Sequence, residues 1–306
     1  DKLAANHGIK MVYGVATAID PAAKKVVTTE GTLTYDRLIV SPGIDFRNEE
    51  VEGYTADSAN TIPHAWKAGA QSTLLRDQLK AMPDGGKVII SMPLVPYRCP
   101  PGPYERASLI ANYLKKHKPK SKVILLDANP DVVAKKPLFM KAWSTYYKGI
   151  FEYVPGKKVT GVDIANRTLL VEGIEEFKGD VVNFIPPQRA AAIAVKAGLV
   201  GEDKKWCPVN VTTFESTLQK NIHVIGDSAI AGAMPKSGYS ANSQAKVCAI
   251  NIVALMNGKE LTELSGINVC YSAISDHESI SVAGVYTVKD GKIIGVPNSG
   301  GISPVD

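Results

Sequence analysis

Short apolar runs bounded by Gly, Pro, Asn and Asp alternate along this chain with stretches whose apolar residues recur three and four apart. The first pattern predicts strands and the second predicts helices. Ile9 to Tyr13 predicts a short strand, and Val15–Asp20 with Lys25–Thr29 predicts a hairpin around Pro21 to Lys24. Arg37-Leu38-Ile39-Val40 predicts a buried parallel strand ending in Ser41-Pro42-Gly43. Trp66, Leu74, Leu75 and Leu79 have helical spacing and predict a helix over 64–81. A β-α-β unit follows, with a strand at 87–91, a helix at 104–117 and a strand at Val123–Leu126 that ends in Asp127. Pro103 suits a helix start, where its missing N–H costs nothing. A helix is predicted over 137–148, and strands at 151–154, 158–163, 167–171 and 180–185. Asn221 to Asp227 predicts another buried strand. A long helix then runs to Met256, with Val247, Ile250, Val253 and Leu255 as its core stripe. Short strands are predicted at 269–274, 279–288 and 292–296.

Strands alternating with helices predict an α/β chain with parallel sheets. The 306 residues suffice for two domains. The pattern divides them into a first domain over 1–63, a second β/α domain over 64–190, a return to the first over 191–257, and a β-rich C-terminal segment over 258–306. Composition fits a globular protein, at 45% hydrophobic and 21% charged. A net charge of +5 is mild at this length and argues against a dedicated nucleic-acid binder. No apolar run approaches the roughly 18 residues that suggest a membrane span. Asp1 to Gly8 reads as the end of a helix already under way, so residues are expected before it.

Chemistry enters at the turn after the strand at 87–91. A nicotinamide-binding unit carries G-x-G-x-x-G there. This chain carries Ser91-Met92-Pro93-Leu94-Val95-Pro96-Tyr97-Arg98-Cys99-Pro100-Pro101-Gly102-Pro103 instead. The four cysteines, Cys99, Cys207, Cys248 and Cys270, permit three complete pairings. None forms C-x-x-C or the C-x-x-C-H of a covalent c-type haem. None of the five histidines pairs with another at metal-ligand spacing, so no metal site is expected. Asp127 stands where a nucleotide-binding unit holds its ribose-binding acid, and reads here as structural. Cys248 reads as a core thiol, Cys207 as a turn residue without chemistry, and Lys115 to Lys122 as a helix end and solvated loop. Ser237 opens the long helix, whose first-turn N–H groups favour negative charge.

Two stretches, Tyr35 to Gly43 and Ile222 to Asp227, together resemble the flavin-binding domain of flavoproteins with two dinucleotide-binding (Rossmann-like) domains, the FAD/NAD-linked disulfide-reductase superfamily. In that superfamily the acid after the second strand hydrogen-bonds the ribityl chain of FAD. The resemblance sharpens at Tyr97 to Ala107, Ile185 to Ala190, Trp206 to Val209, Met234 to Gln244, Asn268 to Ser272 and Ser299 to Asp306. These runs are similar to the flavoprotein subunit of flavocytochrome c sulfide dehydrogenase. That subunit extends beyond both ends of this chain, with its FAD pyrophosphate loop before residue 1.

The resemblance implies that the second domain no longer binds NAD(P)H and delivers one half of a redox-active disulfide, Cys99 paired with Cys270, to the flavin. It implies FAD contacts at Val15, Ser41, Pro42, Gly43, Gly226, Asp227, Pro235, Lys236, Ser237 and Gly238. Glu105, in the first turn of its helix, reads either as a general acid/base near the disulfide or as a carboxylate favoured by the helix dipole. The substrate implied is hydrosulfide, oxidised to sulfur or polysulfide. Haem is expected only on a separate c-type cytochrome subunit, in a bacterial periplasm. The alternatives are a sulfide:quinone oxidoreductase and a non-catalytic flavin electron-transfer subunit. Which cysteine hydrosulfide attacks stays open in the sequence.

Overall fold

Chain order lays down the architecture in successive layers. In the computed structural model, which describes residues 2–305, helix α1 (Lys2–Asn6) precedes an antiparallel meander of β1 (Ala16–Asp20), β2 (Lys25–Thr28) and β3 (Gly31–Thr34). Strands β4 (Leu38–Val40) and β5 (Ile44–Phe46) flank the Ser-Pro-Gly turn. Helix α2 (Ala70–Ala81) leads to β6 (Lys87–Met92), α3 (Gly102–His117), β7 (Lys122–Asp127), α4 (Lys136–Tyr146) and β8 (Phe151–Val154). A second meander, β9 (Val159–Asp163), β10 (Thr168–Val171) and β11 (Glu175–Lys178), feeds β12 (Val181–Phe184) and β13 (Gln188–Ala190). Then come α5 (Ala192–Lys196), β14 (Ile222–Val224) and α6 (Gly238–Met256). A last sheet holds β15 (Gly266–Ala273), β16 (Ser279–Lys289), β17 (Lys292–Gly295) and β18 (Gly301–Ile302).

The central sheet is parallel, in the order β12-β6-β7-β8. Its strands are apolar on both faces because each face meets a separate layer. Val88, Ile90 and Met92 of β6 pack towards α3 and α4, with Tyr104, Leu114 and Phe139. Ile89, between them, packs the other way against Tyr54, Leu126 and Phe184. Strand β14 pairs in parallel with β4, and β13 pairs antiparallel with β5. Residues far apart in the chain therefore meet at the Ser-Pro-Gly and Gly-Asp turns. The last sheet is stitched to the central unit: Ile274 and Ile280 join the cluster around Tyr104, and Tyr147 Oη donates to the Ile274 carbonyl at 2.5 Å.

Several elements differ from the sequence reading. Ile9 to Tyr13 forms no strand, and Ile9, Met11 and Tyr13 are exposed. The helix expected over 64–81 begins at Ala70, because Ala65 and Gly69 have positive φ and His64 Nδ1 accepts the Trp66 N–H at 2.9 Å. Helix α3 starts at Gly102, two residues early, where the Gly102 N–H reaches the Cys99 carbonyl at 2.8 Å. Strand β11 was not predicted, and β15 and β16 are longer than the short strands expected. On α6, Ile250 and Val253 are 52% and 60% exposed, not core. The buried face instead carries Val247, Cys248, Asn251 and Ile252. The Asn251 amide turns this face inward: its Nδ2 donates to the Thr212 and Thr262 carbonyls at 2.7 and 3.0 Å. In the basic run, Lys118 is buried and its ammonium donates to the Lys80 and Met82 carbonyls, so it is a structural cap.

Candidate redox site

The proline-rich turn after β6 holds Cys99 in a conformation its side chain disfavours. Its φ is +58°, which costs a non-glycine residue on the order of 1 kcal/mol. Neighbours enforce it. The Cys99 N–H donates to the Lys236 carbonyl at 2.7 Å, and the Arg98 N–H donates to Gln188 Oε1 at 2.8 Å. Tyr97 Oη reaches the Pro100 carbonyl at 3.0 Å, and Trp66 Nε1 reaches the Arg98 carbonyl at 3.2 Å. The turn before α6 is thereby tied to the cysteine loop.

Strand β15 carries Cys270 to the same place. All four cysteines are free thiols in this structure; Cys99 and Cys270 face each other closely enough to shift each other's titration, and Cys270 Sγ also donates to the Tyr271 carbonyl at 3.8 Å. The pair is electrically asymmetric. The hydrogen bond from Cys99 and the nearby Lys135 ammonium lower the Cys270 pKa, although burial opposes them. The same hydrogen bond, burial and the Cys270 charge push Cys99 up. Cys270 is thus the more acidic thiol of the two. Lys135, which the sequence reading missed, is buried at a positive φ. Its ammonium donates to Ser272 Oγ at 2.8 Å and to the Cys270 carbonyl at 3.0 Å. Nothing in Lys135-Lys136-Pro137 signals this in sequence, because the partner strand lies more than a hundred residues further on.

Glu105 lies beside both thiols, and its Oε1 accepts the Ala273 N–H at 2.9 Å. Helix α3 is thereby pinned to the strand that carries Cys270, and the carboxylate is drawn away from a purely helix-capping role. Arg106, also missed, donates to the His64 and Ala65 carbonyls and to Asn183 Oδ1. Its guanidinium lies 4.8 Å from the Trp66 ring centre, and burial lowers its pKa to about 10.

Two of the residues expected at a flavin, Pro235 and Ser237, share a cavity with these thiols. A cavity of about 360 Å3 is lined by Cys99, Cys270, Lys135, Pro235, Ser237 and Asn268, among others. Ser237 caps α6 by accepting the Ser240 N–H at 3.1 Å, and its hydroxyl donates to Asn268 Oδ1 at 2.6 Å. Lys236 lies 3.6 Å from the Trp206 ring centre and donates to the Asp227 and Ala229 carbonyls at 2.7 and 3.0 Å. Burial lowers its pKa to about 8. Gly43 and Gly226 take φ of +71° and +73° at the ends of β4 and β14. Ser41 Oγ would stand 3.2 Å from a Cβ at Gly226, so the two turns are adjacent. Pro42 lies between them in the first turn, and Gly238 opens α6. Val15 stands apart from this group on the first meander, 66% exposed, with its N–H on Thr29 Oγ1 at 3.1 Å.

One atom tests the fit to a flavin. Asp227 Oδ1 is buried and has no hydrogen-bond partner among the described residues, and burial raises its pKa. A buried acceptor without a donor is destabilising by about 1–3 kcal/mol. A ligand hydroxyl would satisfy it, as the ribityl chain of FAD provides, so the residues present fit the group. The other candidates hold no such vacancy. Asp127 accepts hydrogen bonds from Tyr104 Oη, Tyr153 Oη and the Asn129 backbone and side chain. Cys207 and Cys248 are fully buried, and burial pushes them to about 12 and about 11.

With the family matches that follow, the residues of this site mark a flavin-dependent oxidoreductase with FAD as its cofactor. The chain matches the central part of the sulfide dehydrogenase (flavocytochrome c) flavoprotein chain over residues 72–186. It also matches the flavin-binding part of flavocytochrome c sulphide dehydrogenase over 263–306. The two matches together span just over half of the chain, and the chain belongs to that family. Among solved structures, it is similar to the sulfide:quinone oxidoreductase of the hyperthermophilic bacterium Aquifex aeolicus, at 19% identity and a TM-score of 0.70, covering 95% of this chain and 72% of that one. It is also similar to a ferredoxin reductase from Rhodopseudomonas palustris, at 17% identity and a TM-score of 0.66, covering 99% and 76%. At these identities the likeness is one of fold.

Proposed function

We propose that this chain is the flavoprotein subunit of a sulfide dehydrogenase. It oxidises hydrosulfide through a Cys99–Cys270 redox disulfide and passes the electrons to a c-type cytochrome subunit. The observation that carries this reading is the meeting of the two thiols, from opposite parts of the chain, in the wall of a cavity that Pro235 and Ser237 also line. In this reading residues 1–63 and 191–257 form the flavin domain, 64–190 the cysteine-loop domain, and 258–306 the segment that delivers Cys270.

The chain's own groups divide the work. Hydrosulfide attacks the oxidised pair, leaving one cysteine as a persulfide and the other as a thiolate. Lys135 holds negative charge at Cys270. The Glu105 carboxylate, beside both sulfurs, takes the proton of an arriving hydrogen sulfide. Asp227, Ser41 to Gly43, Gly226 and Pro235 to Gly238 hold FAD; Val15, apart from that set, is not assigned a contact. FAD, when bound, supplies a two-electron acceptor that releases electrons singly. The family description supports a cytochrome partner. The chain contains no C-x-x-C-H, so the haem belongs to that partner. A redox disulfide with a c-type partner supports a bacterial periplasm. The loop at 91–103 has no glycine cradle for a pyrophosphate, which supports sulfide rather than NAD(P)H as the reductant.

Anaerobic titration of the flavin-loaded protein with sulfide tests the reading. The flavin band should bleach, the Cys99→Ser variant should not respond, and NADH should leave both unchanged. Bleaching by NADH but not by sulfide would overturn it.

A further inference from the structure

Cys99 stands in the wall between two cavities. The first is the one it shares with Cys270, Lys135 and Ser237. The second, of about 610 Å3, opens between α2 and α3, and Cys99 is the residue common to both linings. The walls of this cleft are mainly apolar, from Trp66, Leu75, Leu79, Leu109, Ile110 and Tyr113. Its charged groups are Arg76 and Lys80, both exposed, and Glu105 and Arg106, which neighbour Cys99 electrostatically.

We propose that the α2–α3 cleft is the entry site for hydrosulfide, and that Cys99 is the sulfur it attacks, an inference that rests on the sulfide dehydrogenase reading above. Displacement at a disulfide sulfur runs in line: the nucleophile arrives opposite the sulfur that leaves. For attack on Cys99 the leaving sulfur is Cys270, so the approach lies on the side of Cys99 away from Cys270. The cleft offers open space against Cys99 without touching Cys270.

The balance is simple. A bond forms between the hydrosulfide sulfur and Cys99 Sγ, and the Cys99–Cys270 bond breaks. Its electron pair leaves on Cys270 as a thiolate, and the proton stays on the terminal persulfide sulfur. The thiol of lower pKa leaves faster, and Cys270 is that thiol. Arg76 is paired with Asp77 at 2.8 Å and Glu105 is held by the Ala273 N–H, so Lys80 and Arg106 are the groups that attract a small anion along the cleft, while the apolar walls strip its water. The same walls suit the persulfide that results.

Gly102 sets the width of the throat. A Cβ there would lie 2.8 Å from Trp66 Cη2 and 3.0 Å from Cys99 Sγ, in the space the nucleophile must cross. Helix α3 opens at Gly102 with an ordinary φ, so the absence of a side chain here serves space, not backbone conformation.

The test treats the oxidised, flavin-loaded protein anaerobically with one equivalent of sodium sulfide, traps it with iodoacetamide and maps the peptides by mass. The extra sulfur should sit on the Cys99 peptide, with Cys270 singly alkylated. Extra sulfur on the Cys270 peptide overturns this assignment while leaving the sulfide dehydrogenase reading intact. A Leu109→Trp variant, at a 38% exposed position on the cleft wall, should slow flavin bleaching by sulfide about tenfold, with bleaching by dithionite unchanged. An unchanged sulfide rate in this variant overturns the entry site. If sulfide neither bleaches the flavin nor adds sulfur to either cysteine of the unsubstituted protein, both the reading and this inference fall.

Discussion

At the scale of the residue, one lysine turns a symmetric pair of thiols into a directional one. Lys135 is buried, which lowers its own pKa, and the charge of Cys270 and Glu105 holds it up. The reciprocal effect on Cys270 fixes the sign of a pH dependence. A thiol whose folded pKa lies below the ordinary ~8.5 keeps its thiolate at lower pH and loses it only as pH falls through the depressed value. In the reduced protein, Cys270 should therefore be alkylated faster than Cys99 near neutral pH. A Lys135→Met variant should shift the Cys270 alkylation profile upward by about one pH unit. Mass-resolved alkylation against pH measures this, and an unmoved profile would show that Lys135 only packs. The cysteine loop was visible in sequence as an irregular turn, and the resemblance supplied the Cys99–Cys270 pairing. Neither Lys135 nor Arg106 could be read there, because their significance lies in partners brought up by other elements.

At the scale of the element, period and punctuation predicted most strands and helices. They failed where a single polar contact overrode the pattern. The buried amide of Asn251 rotates α6, so Ile250 and Val253 face outward. The bond from the Trp66 N–H to His64 Nδ1 replaces the first turn expected of α2. The end of β7 is held by polar bonds of the same kind. Asp127 accepts from Tyr104 and Tyr153 at 2.7 and 2.9 Å, joining α3 and β8 to the strand between them. Asp127→Ala would leave two tyrosine hydroxyls and the Asn129 amide without their acceptor. The expected destabilisation is about 3 kcal/mol or more, read as a lower midpoint in urea unfolding. An Asp127→Asn variant, which keeps acceptor oxygen, should recover part of the loss. A stability unchanged by Asp127→Ala would mean the tyrosines find other partners.

At the scale of the whole molecule, Cys99 and Cys270 meet because the last sheet is built into the core of the central unit. Ile280 is 6% exposed and packs in the cluster that contains Tyr104 and Phe139. Its carbonyl accepts from Lys135 at 3.4 Å. Glu105 fastens α3 to Ala273, three residues beyond Cys270. Ile280→Ala should lower stability by about 2–4 kcal/mol and loosen the strand that presents Cys270. Oxidation of the dithiol, followed by loss of free thiols, should then slow relative to the unsubstituted protein at a temperature where both remain folded. Unfolding at the original midpoint with unslowed oxidation would mean that the sheet positions Cys270 without help from this contact.

The sequence by itself determined the alternation of strands and helices, the Ser-Pro-Gly and Gly-Asp strand ends, and the missing glycine loop after β6. Each is written in neighbouring residues through local periodicity and turn chemistry. Only the tertiary structure decided that Lys135 stands under Cys270, that Cys99 divides two cavities, that Asp227 keeps an unpartnered oxygen, and which face of α6 is buried. These depend on contacts across a hundred residues or more of chain, or on a single buried hydrogen bond, and no short-range pattern encodes either.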